Sequence, residues 1–339
     1  MGILETAVFA SHRVKRSLLS NQRIREAYYR AWSRLGYGNF FQHEFMLADS
    51  VRMDTYHKAI DRLISSQDQV VDLGTGTGIL SLFAARKNPK RIYALDQSQT
   101  MIEYAKKVAA ANDIHNITFV QGHSSSFHPA EPVDVILHEQ MSDSLFQERM
   151  IENVLDLRDR VLKKGGRILP AKFEFFLEPV QLQKDKRIPF MHEQVVHGIS
   201  LSPIPEDPSP TYLHRYIDPS DVEFSLCEPS PIYTCDLTTL TRDSIPTRFS
   251  VRKPVTRSGE LGGVCSYFRA IFDDDIAFGT GPLDRPRTHW TMDLFRFPTR
   301  SYRQGDIFEM SVDVPRLSDH KTWRWELGST SALNRQDRR

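Results

Sequence analysis

The sequence has 339 residues, which leaves room for two domains of ordinary size. Its 40% hydrophobic and 26% charged content is that of a globular protein, and a net charge of +1 excludes both a global basic field for nucleic acid and an acidic solvating tail. No apolar run approaches the ~18 residues of a membrane span, and MGILETAVFASHRV lacks the apolar core of a secretory signal. Gly2 and Thr6 fit only a short, degenerate myristoylation pattern. Cys227, Cys235 and Cys265 form no CxxC pair, so buried reduced thiols are expected, in the cytoplasm or, in a eukaryote, also the nucleus.

Residues 5–37 are expected to be helical, with Arg and Lys on a solvated face. A second helix is expected over Asp49–Ser65, where Val51, Tyr56, Ala59, Ile60 and Leu63 have helical spacing. QVVDLGTGTGILSLFAARK then runs from a strand through a glycine-rich turn into a helix. RIYALDQSQ is a second buried strand closing on Asp96, and MIEYAKKVAAAN is an amphipathic helix. ITFVQG, VDVILHE and GGRILP supply three further short apolar runs. Strands alternating with helices predict a parallel α/β sheet.

After about Pro170, FEFFLEPVQL, TRFSVRK, CSYFRAIF and DIFEMSVDV alternate apolar with polar residues, as antiparallel strands with one wet face do. SPIPEDPSPTY is an exposed proline-rich connector. The expected organisation is a helical segment over residues 1–48, an α/β domain over 49–170 and a β-rich domain over 171–339.

Gly74, Gly76 and Gly78 lie at the first strand-to-helix turn, where glycine permits a tight turn and close approach of a ligand to the backbone. Asp96 ends the next strand, where a carboxylate can accept bonds from both ribose hydroxyls of a dinucleotide or an adenosyl ligand. The loop is GxGxG behind Asp72, rather than the GxGxxG of a pyrophosphate turn, and this pair of motifs resembles S-adenosylmethionine (SAM) methyltransferases more than NAD enzymes. The stretch VILHEQMSDSLFQERM sets Glu139 and Glu148 nine positions apart where a buried strand ends.

Three further stretches, YGNFFQHEFMLADSVRMDTYHKAI, HEQMSDSLFQERM and RPRTHWTMDLF, follow the order and spacing of the protein arginine methyltransferase family, which the chain resembles from about Tyr37 to Phe295. The resemblance implies a Rossmann-like SAM-binding domain with N-terminal helices, then a β-barrel domain with an inserted dimerisation arm at about 189–216. It implies SAM as cofactor, an arginine-containing protein as substrate, a homodimer, and no metal, nucleic-acid or membrane partner.

By the same resemblance Glu139 and Glu148 are the paired glutamates that grip the guanidinium, and His289 with Asp49 accepts the departing proton. Arg52 pairs with the SAM carboxylate and Tyr37 belongs to a helix closing over the cofactor. Met46 sits beside the accepting nitrogen and Met150 near the cofactor. Asp96 binds the ribose, and Ser124 and Ser125 stand at the adenine; Asp72, Gly74, Gly76 and Gly78 complete the cofactor loop.

Two carboxylates suit this chemistry because a guanidinium is planar, always cationic and presents its N–H donors in a fixed fork. Held along two edges, its charge is drawn toward the gripped nitrogens, and the third keeps lone-pair density for attack.

The sequence departs from the family at Ser142 and Asp143, where a Gly-Tyr pair is usual, and at Trp32 and Ser33, where aromatics are usual. Those changes motivate two alternatives: a small guanidino or amine acceptor, or a non-catalytic SAM-binding homologue that regulates an active one.

Overall fold

A computed structural model describes residues 40–205 and 214–328. The helix expected over 5–37, Tyr37, the Gly2–Thr6 pattern and positions 206–213, which include the last seven residues of the proline-rich connector, lie outside the described residues.

Two helices, α1 (Phe40–Ala48) and α2 (Ser50–Leu63), meet at Asp49. Asp49 ends one and starts the other: its Oδ1 accepts the Arg52 backbone N–H at 2.9 Å, an N-cap that satisfies an orphan donor of α2. Arg52, Tyr56, Ala59 and Ile60 form the buried stripe of α2 at helical spacing. Tyr56 is fully buried and donates its hydroxyl to the His138 carbonyl at 2.8 Å, tying α2 to the central sheet.

That sheet comprises β1 (Gln69–Leu73), β2 (Arg91–Asp96), β3 (Ile117–Gln121), β4 (Val133–His138) and β5 (Leu162–Leu169), all parallel, in the order β3-β2-β1-β4-β5. Helices α3 (Ile79–Ala85), α4 (Gln99–Ala111) and α5 (Met150–Val161) follow β1, β2 and β4. Both β1 and β4 are apolar because both faces are covered. The strand order reverses between them, which opens a crevice at their carboxyl ends. Gly74 follows β1 and Glu139 follows β4, so the topology brings the glycine loop and the first glutamate to one place.

Parallel pairing ends at Leu169, and antiparallel pairing begins with β6 (Lys172–Leu182). A hairpin of β7 (Val195–Val196) and β8 (Ile199–Ser200) lies in the expected arm region, ahead of β9 (His214–Ile217), β10 (Val222–Ser225) and β11 (Tyr233–Asp236). The chain continues through β12 (Arg248–Pro254), β13 (Gly259–Glu260), β14 (Gly263–Ile271), β15 (Ala277–Gly279) and β16 (Met292–Phe295). It closes with β17 (Ser301–Tyr302), β18 (Ile307–Asp313) and β19 (Arg324–Leu327).

A curled seven-stranded sheet runs β10-β6-β14-β16-β9, with β11 paired to β6 and β15 to β14, and β12-β18-β19 form a second sheet. One buried core joins the halves, with Val70 and Ile136 on one side and Phe175, Phe249 and Trp323 on the other.

The expectation of one wet face holds for β12, whose burial alternates, and fails for β14, which is buried over most of its length. β14 sits mid-sheet and is covered on both faces, so CSYFRAIF carries buried Cys265, Ser266 and Tyr267 where alternation alone would expose some of them. All three cysteines are buried and free.

Candidate active site

The crevice is a cleft of about 450 Å³, within the usual size range of a small-ligand site. Its walls include Met46, Gly74, Gly76, Asp96, Ser124, Glu139, Glu148 and His289, so the structure gathers the main sequence-predicted residues around one space.

The cofactor side is built from neighbours in sequence. Gly76 and Gly78 have φ of +52° and +86°, a left-handed backbone that costs a side-chain-bearing residue about 1–2 kcal/mol. A Cβ on Gly76 would come within 3.0 Å of the His43 ring, so glycine is also what lets α1 lie against the loop. Asp96 fixes this loop directly, since its Oδ2 accepts the Gly76 N–H and its Oδ1 the Ser98 N–H, both at 2.8 Å. Burial raises the Asp96 pKa against the pull of those two bonds.

Asp72 does not stand in the cleft. It braces the loop from behind, its Oδ2 accepting from the hydroxyls of Thr75 and Ser81 at 2.7 Å each. Burial outweighs these bonds and pushes its pKa up to about 6. Gly78 likewise lies behind the wall, as the N-cap of α3. Ser125 is exposed beside the cleft and bonded to His123, whereas buried Ser124 lines it. Met150 opens α5 and is fully buried in the core, off the cleft wall, so it packs rather than touches a ligand there.

The acceptor side is built from distant segments. Arg52 donates from one terminal nitrogen to Glu139 Oε2 at 2.8 Å and from the other to the Met46 carbonyl at 3.0 Å. This ion pair is nearly buried, at 6% and 12% side-chain exposure, so water does little to screen it. The Nε of Arg52 is buried with no hydrogen-bond partner. An orphan cationic N–H is costly, and Arg52 stands behind the cleft wall rather than on it. Arg52 therefore holds Glu139 from behind and ties it to α1, where the resemblance implied only a pairing with the cofactor.

His289 Nδ1 donates to Asp49 Oδ2 at 2.8 Å, and the His289 backbone N–H donates to the same oxygen at 2.8 Å. Burial alone would raise the Asp49 pKa, but the bonds from His289 and the Arg52 backbone more than offset it, and the carboxyl lies below its ordinary value. A lowered pKa keeps Asp49 anionic, which fixes the imidazole tautomer and supports its cation.

Three features of the site went unread in the sequence. Asp143, where the family has an aromatic, accepts the Thr291 backbone N–H at 2.8 Å. Trp290 donates its indole N–H to the Met141 carbonyl at 3.0 Å, so two bonds clamp the glutamate loop to the β-rich half. Burial raises the Asp143 pKa, and nearby Asp293 raises it further. His43 also lines the cleft, three positions before Met46 on α1, where i and i+3 share a helix face; that spacing could have found it.

A glycine loop braced by an acid, at the switch point of a parallel sheet and facing a carboxylate-lined acceptor cleft, defines a SAM-dependent methyltransferase. A family model described as "Methyltransferase domain" matches residues 70–166. The chain is 31% identical over 285 residues to "Protein arginine N-methyltransferase 1" of Dictyostelium discoideum, covering 82% of each. The chain belongs to the protein arginine N-methyltransferase family, and its cofactor is SAM.

Two solved structures share the fold. Arabidopsis thaliana protein arginine methyltransferase 10 has a TM-score of 0.71 at 23% identity, covering 88% of this chain and 97% of its own. The Trypanosoma brucei PRMT1 enzyme–prozyme heterotetrameric complex with AdoHcy has a TM-score of 0.70 at 22% identity, covering 82% and 88%.

Proposed function

We propose that this enzyme methylates a guanidino nitrogen of arginine in a protein substrate, with Glu139 and Glu148 gripping the guanidinium and His289–Asp49 receiving the proton. The observation that carries this reading is that both glutamates line the cleft whose other wall is the glycine loop and Asp96. When bound, SAM supplies an activated methyl on sulfur. Gly74, Gly76, Asp96 and Ser124 would hold its nucleoside part, and Arg52, as the resemblance implies, would pair with its carboxylate.

The protein's part is orientation and electrostatics. Glu139 is fixed by Arg52, so it meets the acceptor without losing rotamer freedom at that moment. Glu148 takes the other edge, and charge-assisted bonds of this kind contribute roughly 1.5–3 kcal/mol each. Neither glutamate deprotonates the acceptor before attack, because a guanidinium pKa above ~12 makes that costly. His289 Nδ1 is committed to Asp49, which leaves Nε2 as the basic nitrogen.

The enzyme is further read as cytoplasmic, in keeping with its three free buried thiols, and as a homodimer through the arm. Supporting the latter, the arm exposes Val195 and Ile199, each at 66% or more, and the T. brucei protein is part of a heterotetrameric complex by description. No helix among the described residues is long and apolar enough to cross a membrane.

The test is methyl transfer from labelled SAM to an arginine-rich protein, with the product mapped by mass spectrometry. Glu148→Gln is expected to lower kcat by ~10³-fold, about 4 kcal/mol of barrier, with SAM binding intact. Retained activity in that variant, or label only on small molecules, rejects the reading. SAM binding with no turnover on any acceptor identifies a regulatory homologue instead.

A further inference from the structure

Beside the glutamate loop, outside the methyl-transfer machinery, stands a second cluster of polar side chains. His214, Asp293 and His320 each offer one donor atom, and these atoms all lie within 4.8 Å of one another. The register explains the first two. In the β9–β16 pair His214 faces Phe295, two positions from Asp293, so both project to the same face. His320 arrives from a separate 3-10 turn, His320–Thr322. The rings of His214 and His320 stack at 4.3 Å, bedded against Phe295. Gln147, next to Glu148 in the loop, abuts His320 Nδ1 and lies 3.4 Å from Asp293 Oδ2.

We propose that His214, Asp293 and His320, with the side-chain amide oxygen of Gln147, form a site for a divalent transition ion of the Zn²⁺ type.

Two imidazoles and a carboxylate are a borderline donor set that suits zinc, with a neutral oxygen or water as fourth ligand. Asp293 is fully buried, so its charge needs a partner; His214 Nε2 provides one hydrogen bond at 2.5 Å. Donors on one tetrahedral ion stand roughly 3.3 Å apart at bond lengths of about 2.0–2.1 Å, so small side-chain adjustments bring this set to that spacing. A half-turn of the Gln147 amide exchanges its oxygen and nitrogen without changing its shape. Buried Phe295 packs against both imidazoles and limits how far they can turn. An ion here would pin Gln147, and with it the backbone beside Glu148, to the β-rich half. The inference does not depend on which acceptor is methylated.

The full chain, stripped with a chelator and desalted, is incubated with Zn²⁺ or Co²⁺ and desalted again. Elemental analysis is expected to find about one ion per chain, and the Co²⁺ form is expected to show intense visible bands of a low-symmetry site. His214→Gln and His320→Gln, each verified as folded, are expected to lose more affinity than the ~10–100-fold that outer-shell changes cost. A folded wild-type protein that retains no ion, or one whose Co²⁺ spectrum is that of the aqueous ion, overturns the proposal. So does equal retention in a variant carrying both His214→Gln and His320→Gln, which would place the ion elsewhere. Should the variants not fold, wild-type retention and the Co²⁺ spectrum decide alone. No ion in either leaves the cluster as a hydrogen-bonded His–Asp–His network.

Discussion

The two walls of the cleft are built in opposite ways. On the cofactor wall, Asp96 reaches back 20 residues to Gly76 and forward two to Ser98, so a single βαβ unit supplies the parts and their braces. On the acceptor wall, Arg52 meets Glu139 across 87 residues, Asp143 meets Thr291 across 148, and Asp49 meets His289 across 240. The first wall can form as soon as its own unit folds. The second exists only when the whole molecule is assembled, and its order is a property of the tertiary fold.

Arg52 is where the contrast is most easily broken, because it holds Glu139 on the acceptor wall and is also the residue proposed to pair with SAM. Arg52→Gln removes one member of a nearly buried pair and leaves Glu139 uncompensated. The expected loss is about 3 kcal/mol or more of unfolding stability, together with a ~10–100-fold rise in the Kd for SAM from the lost charge-assisted bonds. Chemical denaturation and calorimetric titration measure the two separately. Unchanged SAM affinity would show that Arg52 belongs to the acceptor wall alone.

pH separates the walls by sign. His138 ends β4, directly before Glu139, and donates from Nε2 to the Pro170 carbonyl at 2.9 Å. Burial lowers its pKa to about 4 from 6.5, so the unfolded chain binds more protons between those values. Its contribution is complete above about 6.5 and is lost as pH falls toward about 4. Asp72, behind the glycine loop, runs the other way. Its folded pKa of about 6 exceeds the ordinary 3.8, so its contribution is complete below 3.8 and is lost as pH rises through about 6. Each effect is of the order of 3 kcal/mol over its full window. Urea unfolding at about pH 4.5 and about pH 7 is expected to show His138→Asn losing less stability toward acid than wild type, and Asp72→Asn losing more. Identical pH slopes in all three proteins would remove the assignment.

A smaller effect is expected at Asp143. Asp143→Ala leaves the Thr291 N–H without its acceptor, costing roughly 1–3 kcal/mol if it stays dry. It should lower kcat by about 10-fold through a looser glutamate loop, with SAM affinity unchanged. Asp143→Asn keeps an accepting oxygen and should recover most of the rate. Equal damage from both substitutions would mean that the charge, rather than the clamp, matters.

A further pair of variants divides the two jobs of Asp49. Asp49→Asn keeps an accepting oxygen for the N-cap but turns an NH2 onto the His289 backbone N–H, and Asp49→Ala removes both acceptors, so each is expected to cost roughly 1–3 kcal/mol of stability. Both remove the anion facing His289 and should shift the pH profile of kcat. A profile unmoved in either variant would take His289 out of proton transfer.

What the sequence revealed follows the same division. The GxGxG turn, its strand and Asp96 are legible because their partners lie within a few dozen residues and backbone geometry dictates residue type. Glu139, Glu148, Asp49 and His289 were legible only through family resemblance, since nothing local joins position 49 to position 289. Asp143 was visible as the loss of an aromatic and not as the gain of a clamp, because its partner is Thr291. Likewise Asp72 belongs to the glycine motif in sequence, but its burial and its bonds to Thr75 and Ser81 make it a brace. Two-sided burial of β14 depends on its neighbours in the sheet, which alternation cannot report.

The carboxylate at position 49 closes one helix start and one imidazole with its two oxygens. Cutting the protein after residue 170 and expressing the pieces apart would leave the first piece with a correct nucleoside pocket and no base. Co-expressed halves that rejoin through the shared core would recover the His289–Asp49 pair only where this side chain finds its imidazole again, making it a convenient reporter of reassembly.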